Sequence, residues 1–175
     1  MKRILTWLFS LLAVFFCVAA FWPVQPVIPV QGATRANWIA EYFWNCPWCK
    51  GDRVHYGIDI IYKRGTPIIA STPGLVVWSQ PQGRGGEVVM VIGPGWKLHY
   101  YAHLDEYRVQ AGEWVEQGQT VGLLGNTGAS DLPHLHYTIF TPLPRFWRWD
   151  GDKFGYRKMF FLDPTEELAG ATPDS

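Results

Sequence analysis

This sequence predicts an all-β domain of antiparallel strands, and three observations carry that prediction. Apolar and β-branched residues come in short runs rather than at helical spacing. The runs recur at roughly 8–12 residues, the interval of barrels, sandwiches and other antiparallel sheets. Turn formers divide them: the 175-residue chain holds 18 Gly and 13 Pro. The length suits one domain, and a hydrophobic fraction of 48% excludes a disordered chain. Lys+Arg and Asp+Glu number 15 each, so the chain has no basic footprint for nucleic acid. Aromatic residues are abundant, with 10 Trp among them.

Taken in order, the chain opens with Lys2 and Arg3 ahead of an uncharged apolar run over residues 4–21. A basic start followed by such a run is the pattern of a secretory signal, with Val18 and Ala20 as small residues before a cleavage point. The run is equally long enough to span a bilayer as a hydrophobic helix. Residues 1–21 are therefore read as a signal peptide or a membrane anchor. Either way the positive end stays in the cytoplasm and the remainder is extracytoplasmic, touching the membrane only through this segment. Residues 22–36, with Pro23, Pro26 and Pro29, read as an extended linker, and residues 37–170 as the folded domain.

Within that domain, residues 54–62 form the first expected strand, ended by Lys63-Arg64-Gly65-Thr66-Pro67. Residues 67–70 and 75–79 follow, split by Thr72-Pro73-Gly74. Residues 87–92 and 96–103 flank Gly93-Pro94-Gly95 as a hairpin. Shorter strands are expected at 107–109, 114–115 and 120–124, and a last clear one at 135–141. Residues 163–168 look weakly helical. Residues 142–158, rich in Pro, Arg and large aromatics, read as an irregular excursion.

Cys46 and Cys49 form a C-x-x-C outside the membrane, where cysteines usually pair, so a local disulfide is the preferred reading. A redox site would want a βαβ context, and a zinc site a second pair.

The histidines carry the chemistry. In His134-Leu135-His136 both imidazoles face one side of a strand, a ready start for a metal site. In His55-Tyr56-Gly57-Ile58-Asp59 a straight strand would part the first and last side chains by ~13 Å, but a bend at Gly57 could unite them. Zinc catalysis needs three protein ligands and an open water position, and two His plus one carboxylate fill that count.

Several motifs then occur together. They are His55 to Asp59, Gly65-Thr66-Pro67, Tyr101-Ala102-His103-Leu104, Gly112…Val115…Gly118-Gln119, Gly125-Asn126-Thr127-Gly128 and Pro133-His134-Leu135-His136. In order and spacing this series resembles the lysostaphin-type (LytM-like) zinc endopeptidases of bacterial cell walls, over about residues 53–141. The resemblance implies a small antiparallel β-sheet or sandwich with a metal-containing groove. It implies one Zn2+ per chain, held by His55, Asp59 and His136, with His103 and His134 as catalytic histidines. It also implies hydrolysis of peptide bonds in peptidoglycan stem peptides or cross-bridges. A neutral imidazole can take the proton of a zinc-activated water and pass it to the leaving amine; His134 and His103 are both candidates.

Two other readings compete: a non-catalytic wall-binding or regulatory domain on the same scaffold, and a cysteine hydrolase using Cys46 or Cys49 with His55. Members of the first kind tend to lack ligands, and this chain lacks none. His99, four residues before His103, reads as a groove-wall or surface residue. The chain also departs from the family pattern. Where some relatives carry an active-site tyrosine before the first metal histidine, this chain has the Cys46 to Lys50 loop; Tyr56 or Tyr101 could substitute. The aromatic stretch 143–158 is additional, and reads either as packing over the sheet end or as a groove wall.

Overall fold

The computed structural model describes residues 7, 10, 23–39, 43–46, 54–152 and 154–171. The segment read as signal or anchor lies almost wholly outside these residues, as does Cys49. Among the described residues no helix is long and apolar enough to cross a membrane.

The described chain is mostly antiparallel sheet with few helical turns. Its strands are β1 (Ile58–Ile61), β2 (Pro67–Ile69), β3 (Gly74–Ser79), β4 (Glu87–Gly93), β5 (Lys97–Tyr107), β6 (Trp114–Val115), β7 (Thr120–Leu124), β8 (His134–Phe140) and β9 (Phe161–Leu162). The main path runs β1-β8-β5-β4-β3-β6, while β7 bridges β5 to β2 and β9 borders β8. Every one of these pairings is antiparallel. A helical turn, Pro164–Glu167, follows β9; the Asp163 carboxylate accepts the Thr165 N–H at 2.8 Å, and Pro164 occupies the first helical turn.

Alternation explains the two faces of β1, β8 and β5. Ile58, Ile60, Leu135, Tyr137, Ile139 and Tyr101 point one way and are fully buried. Burying such side chains stabilises the fold by about 1.5–3 kcal/mol each. The intervening residues Asp59, His134, His136 and Tyr100 point to the other face. The sheet is thus a core on one side and a polar floor on the other.

Four features differ from the sequence reading. Residues 27–33, read as part of an extended linker, turn at Gln31-Gly32 and are packed against the domain. Ile28, Val30 and Ala33 belong to the core, the Val27 N–H donates to the Ser71 carbonyl at 2.9 Å, and Val30 bridges to Ile68. Secondly, β1 begins only at Ile58, because the chain bends at Gly57. A Cβ at Gly57 would lie 2.3 Å from the Tyr137 carbonyl oxygen, so what demands glycine there is close approach of β8 and not a positive φ. Thirdly, β9 was not expected; two residues are too few to show alternation. Fourthly, residues 142–158 hold two short 3-10 turns, Phe146–Arg148 and Gly155–Met159.

His99 is a correction. It is not on a groove wall or the surface: it is completely buried, and its Nδ1 lies 2.6 Å from the Tyr137 hydroxyl. The reason is a bulge. Between the pairs Val89 with Tyr101 and Glu87 with Leu104, two residues of β5 oppose one of β4. His103 sits in that bulge with φ of 63°, so alternation breaks and His99 and His103 face opposite ways. Burial, followed by the nearby Lys97 charge, pushes the His99 imidazole down to about 3 from its ordinary 6.5. The unfolded chain therefore takes up a proton near pH 6.5 while the folded chain refuses it until about pH 3. Stability conferred by neutral His99 is present above pH 6.5 and is lost as pH falls through that window. Between pH 7 and 4, His99→Phe should lose about 3 kcal/mol less than the parent chain, read from urea unfolding.

Candidate metal centre

The groove on the polar face of the sheet has a volume of about 830 Å³, and His55, Asp59, His103, His134 and His136 all line it. Their convergence follows from register. Antiparallel pairing sets Asp59 opposite His136 on one side of β8 and Ala102 opposite His136 on the other. His134 shares the face of His136 because the two are two residues apart on β8. The bend at Gly57 returns His55 towards Asp59, its neighbour four residues on.

The resulting distances are short. His136 Nδ1 lies 2.8 Å from His55 Nε2 and 2.9 Å from Asp59 Oδ1, and His55 Nε2 lies 3.2 Å from the same oxygen. Burial works to raise the Asp59 carboxyl, but hydrogen bonds from His136 and His55 outweigh it and hold the carboxyl far below the usual carboxylate range. Burial likewise pushes the His136 imidazole down, partly offset by Asp59, and so favours its neutral form. An ionised carboxylate and a neutral imidazole are the forms that ligate metals.

This donor set fits a tetrahedral ion. With bonds of about 2.0–2.1 Å, zinc spaces its ligand atoms about 3.3 Å apart. Together the three residues form a group able to hold one metal ion. Behind His136, its Nε2 lies 3.0 Å from Thr138 Oγ1, so a metal taking the place of the Nδ1 proton would leave the remaining N–H, on Nε2, to donate to that hydroxyl.

His103 and His134 flank the cluster, their ring centroids 4.7 Å apart. His103 Nδ1 is 2.7 Å from the Thr127 carbonyl oxygen, and His134 Nδ1 is 2.8 Å from that of Leu132. A carbonyl only accepts, so each Nδ1 carries a proton, and a ring in its neutral form keeps its lone pair on Nε2. His134 Nε2 lies 3.5 Å from Asp59 Oδ1, within the cluster. Burial pushes His103 down to about 4; the bond to Thr127 offsets part of this, and the His134 and His136 rings add to it. The Thr127 carbonyl is itself fixed, because its hydroxyl donates to the Leu104 carbonyl and accepts the Glu87 N–H. Gly128 follows with φ of 73°, and a Cβ there would meet the Arg84 carbonyl oxygen at 2.4 Å.

Tyr101 cannot serve the groove, since it is buried in the core on the opposite face and accepts the Ser71 N–H. Tyr56 does line the groove, with its hydroxyl bonded to Arg157. The tyrosine that sequence reasoning missed is Tyr100, a groove residue whose ring lies 6.2 Å from that of His136 and whose phenol is pushed up to about 12 by burial. No local signal marks it, because parity with His103 points to Tyr101 and the bulge at His103 reverses that parity. Thr138 and Arg157 were also missed, each acting through a contact that no local motif encodes, while Thr127 stood in a quoted motif with no role given to it. The thiol reading fails at one of its two cysteines, because Cys46 is disulfide-bonded and offers no thiolate.

An antiparallel sheet whose groove gathers an N/O ligand set and two flanking imidazoles has the parts that metal-assisted hydrolysis needs. Comparison with known sequences narrows this: the description Peptidase family M23 matches residues 53–144, and the chain belongs to that family. Lysostaphin of Staphylococcus staphylolyticus is 38% identical over 87 residues, which are 48% of this chain and 18% of lysostaphin. Peptidoglycan DD-endopeptidase ShyC of Vibrio cholerae is 40% identical over 85 residues, 49% of this chain and 20% of that protein. The chain thus spans about a fifth of the length of these curated relatives. The catalytic domain of lysostaphin from Staphylococcus simulans superposes with a TM-score of 0.55 at 30% identity, covering 66% of this chain and 80% of that one.

Proposed function

We propose that this protein is a zinc-dependent endopeptidase that hydrolyses peptide bonds in peptidoglycan stem peptides or cross-bridges. The observation that carries this reading is the convergence of His55 Nε2, Asp59 Oδ1 and His136 Nδ1 within 3.2 Å of one another on the groove floor. One zinc ion per chain would be held by those three residues. Zinc bound there would supply Lewis acidity, lowering the pKa of water and polarising the scissile carbonyl.

The remaining work falls to the chain's own side chains. His134 and His103 each present an Nε2 lone pair to the site, because their Nδ1 protons are tied to backbone carbonyls. Either neutral imidazole can accept the water proton and return it to the departing amine. The other orients water or stabilises the tetrahedral intermediate. Arg84 and Arg157 line the same groove and favour a substrate that carries carboxylates.

The domain is placed outside the cytoplasm. Residues 1–21 support this as a signal or anchor, and the disulfide at Cys46 suits an oxidising compartment.

Metal analysis of the purified protein, joined to mass analysis of digested peptidoglycan, tests the proposal. The expected result is about one zinc per chain and newly freed amines that vanish with a chelator. Wall binding with neither zinc nor freed amines would overturn it.

His103 offers a sharper check, because a histidine at φ of 63° is strained by about 1–3 kcal/mol. Asparagine tolerates that backbone region. His103→Asn should keep stability within about 1 kcal/mol while lowering kcat by ~10²–10⁴-fold. A parallel loss of stability and activity would show instead that the imidazole serves packing.

A further inference from the structure

The aromatic stretch 142–158 divides in two. Phe154 and Arg157 turn into the groove. Phe146, Trp147 and Trp149 turn away from it and are 70%, 79% and 62% exposed, with Leu143 also exposed beside them. Large apolar side chains at such exposure in one short turn mark an interaction surface. The turn is not loose. Its Arg145 N–H donates to the Met159 carbonyl at 2.9 Å, and the Arg148 and Trp149 N–H groups close the 3-10 turn onto Arg145 and Phe146.

We propose that this turn docks the domain on an anionic lipid surface. Three observations favour lipid over other occupants. The first is exposure. Trp147 and Trp149 stand 79% and 62% exposed and line no part of the groove, and an indole with an apolar body and a polar N–H suits the interface of a bilayer.

The second is charge. Residues 142–158 carry five basic and two acidic side chains, in a chain whose formal charge is zero. Lys158 pairs with both acidic ones, Asp150 and Asp152. Among the described residues Arg145 has no carboxylate partner, and Arg148 reaches only the exposed Glu166 at 3.8 Å. Phosphate headgroups complement guanidinium groups beside a Trp belt.

The third is where the chain enters the fold. The apolar run ends at residue 21, and the packed chain begins at buried Pro26. Five residues span at most about 17 Å. Gln25 lies against Gly170, the end of the segment that follows the Pro164–Glu167 turn, and Glu166 of that turn reaches Arg148. A chain of contacts therefore places the aromatic turn near the point at which the N-terminal segment leaves the domain. If residues 4–21 sit in a bilayer, the turn stands within reach of its surface.

The test uses the full-length chain in phosphatidylglycerol vesicles with brominated acyl chains, which quench buried indoles. Ten Trp contribute to the emission. Trp147→Phe with Trp149→Phe removes two of them while keeping the turn aromatic. If those indoles sit in the bilayer, the quenched fraction falls in the double variant. If they sit in water, the quenched fraction rises, and the proposal is overturned. Arg145→Gln with Arg148→Gln should lower quenching to the level seen in brominated phosphatidylcholine vesicles. Equal quenching of the parent chain in both lipids would overturn the anionic assignment. Protection of the same two indoles from iodide by purified peptidoglycan sacculi, without quenching by lipid, would overturn the proposal and assign the turn to the wall.

Discussion

Replacing His136 by alanine is expected to abolish metal retention and peptide hydrolysis together. His136 is the hinge of the cluster: its Nδ1 is the atom from which the other two donor atoms are 2.8 and 2.9 Å away. Without it, His55 and Asp59 leave two ligands, below the three that a catalytic zinc site needs. The loss in kcat/KM should exceed the ~10²–10⁴-fold expected from removing a proton-transfer group alone, because Lewis acidity goes as well. The measurements are zinc content by elemental analysis and amine release from peptidoglycan. Retained zinc with normal hydrolysis would sink the ligand assignment. The fold should survive, since His136 faces the groove rather than the core.

Gly57→Ala is expected to cost stability and metal binding together. That methyl would sit 2.3 Å from the Tyr137 carbonyl oxygen and 2.5 Å from Thr138 Oγ1. The first contact is with backbone in the middle of β8, which cannot swing aside as a side-chain tip can. Either β1 leaves β8 or the bend at residue 57 opens. Both routes part His55 and Asp59 from His136. We expect a stability loss of about 3 kcal/mol, the upper end for overpacking, with zinc affinity and activity falling together. Chemical unfolding and zinc titration of the same preparation check this. A Gly57→Ala protein with parental stability would show that the β1 to β8 approach is looser than the structure has it.

The two variants separate chemistry from architecture. His136→Ala should lose metal at near-parental stability, while Gly57→Ala should lose both. The aromatic turn is independent of either, since it lies off the groove and its readout is lipid contact.

Much of this molecule was legible from local pattern. The His134-Leu135-His136 spacing places two imidazoles on one face because strand alternation depends only on the residues themselves. The Gly93-Pro94-Gly95 hairpin is likewise local: Gly95 has φ of 71°, and β4 and β5 close on either side. Most strands lie where β-branched runs stand between turn formers. The choice of face for each residue, however, depends on pairing. A register of Asp59 against His136 and of Ala102 against the same residue brings three strands to one point, and no stretch of sequence states which strands will meet. The bulge that turns His103 into the groove and leaves His99 in the core arises from β4 opposing β5 with one residue fewer. The same holds for residues 27–33, which read as part of a proline-bearing tether until β2 offers them an apolar surface. Composition and period are properties of the chain alone, so the sequence determined strand content, turn positions and the supply of ligands. Register, bulges and burial are properties of chain segments in contact, and only the folded sheet decided which side chains share the groove.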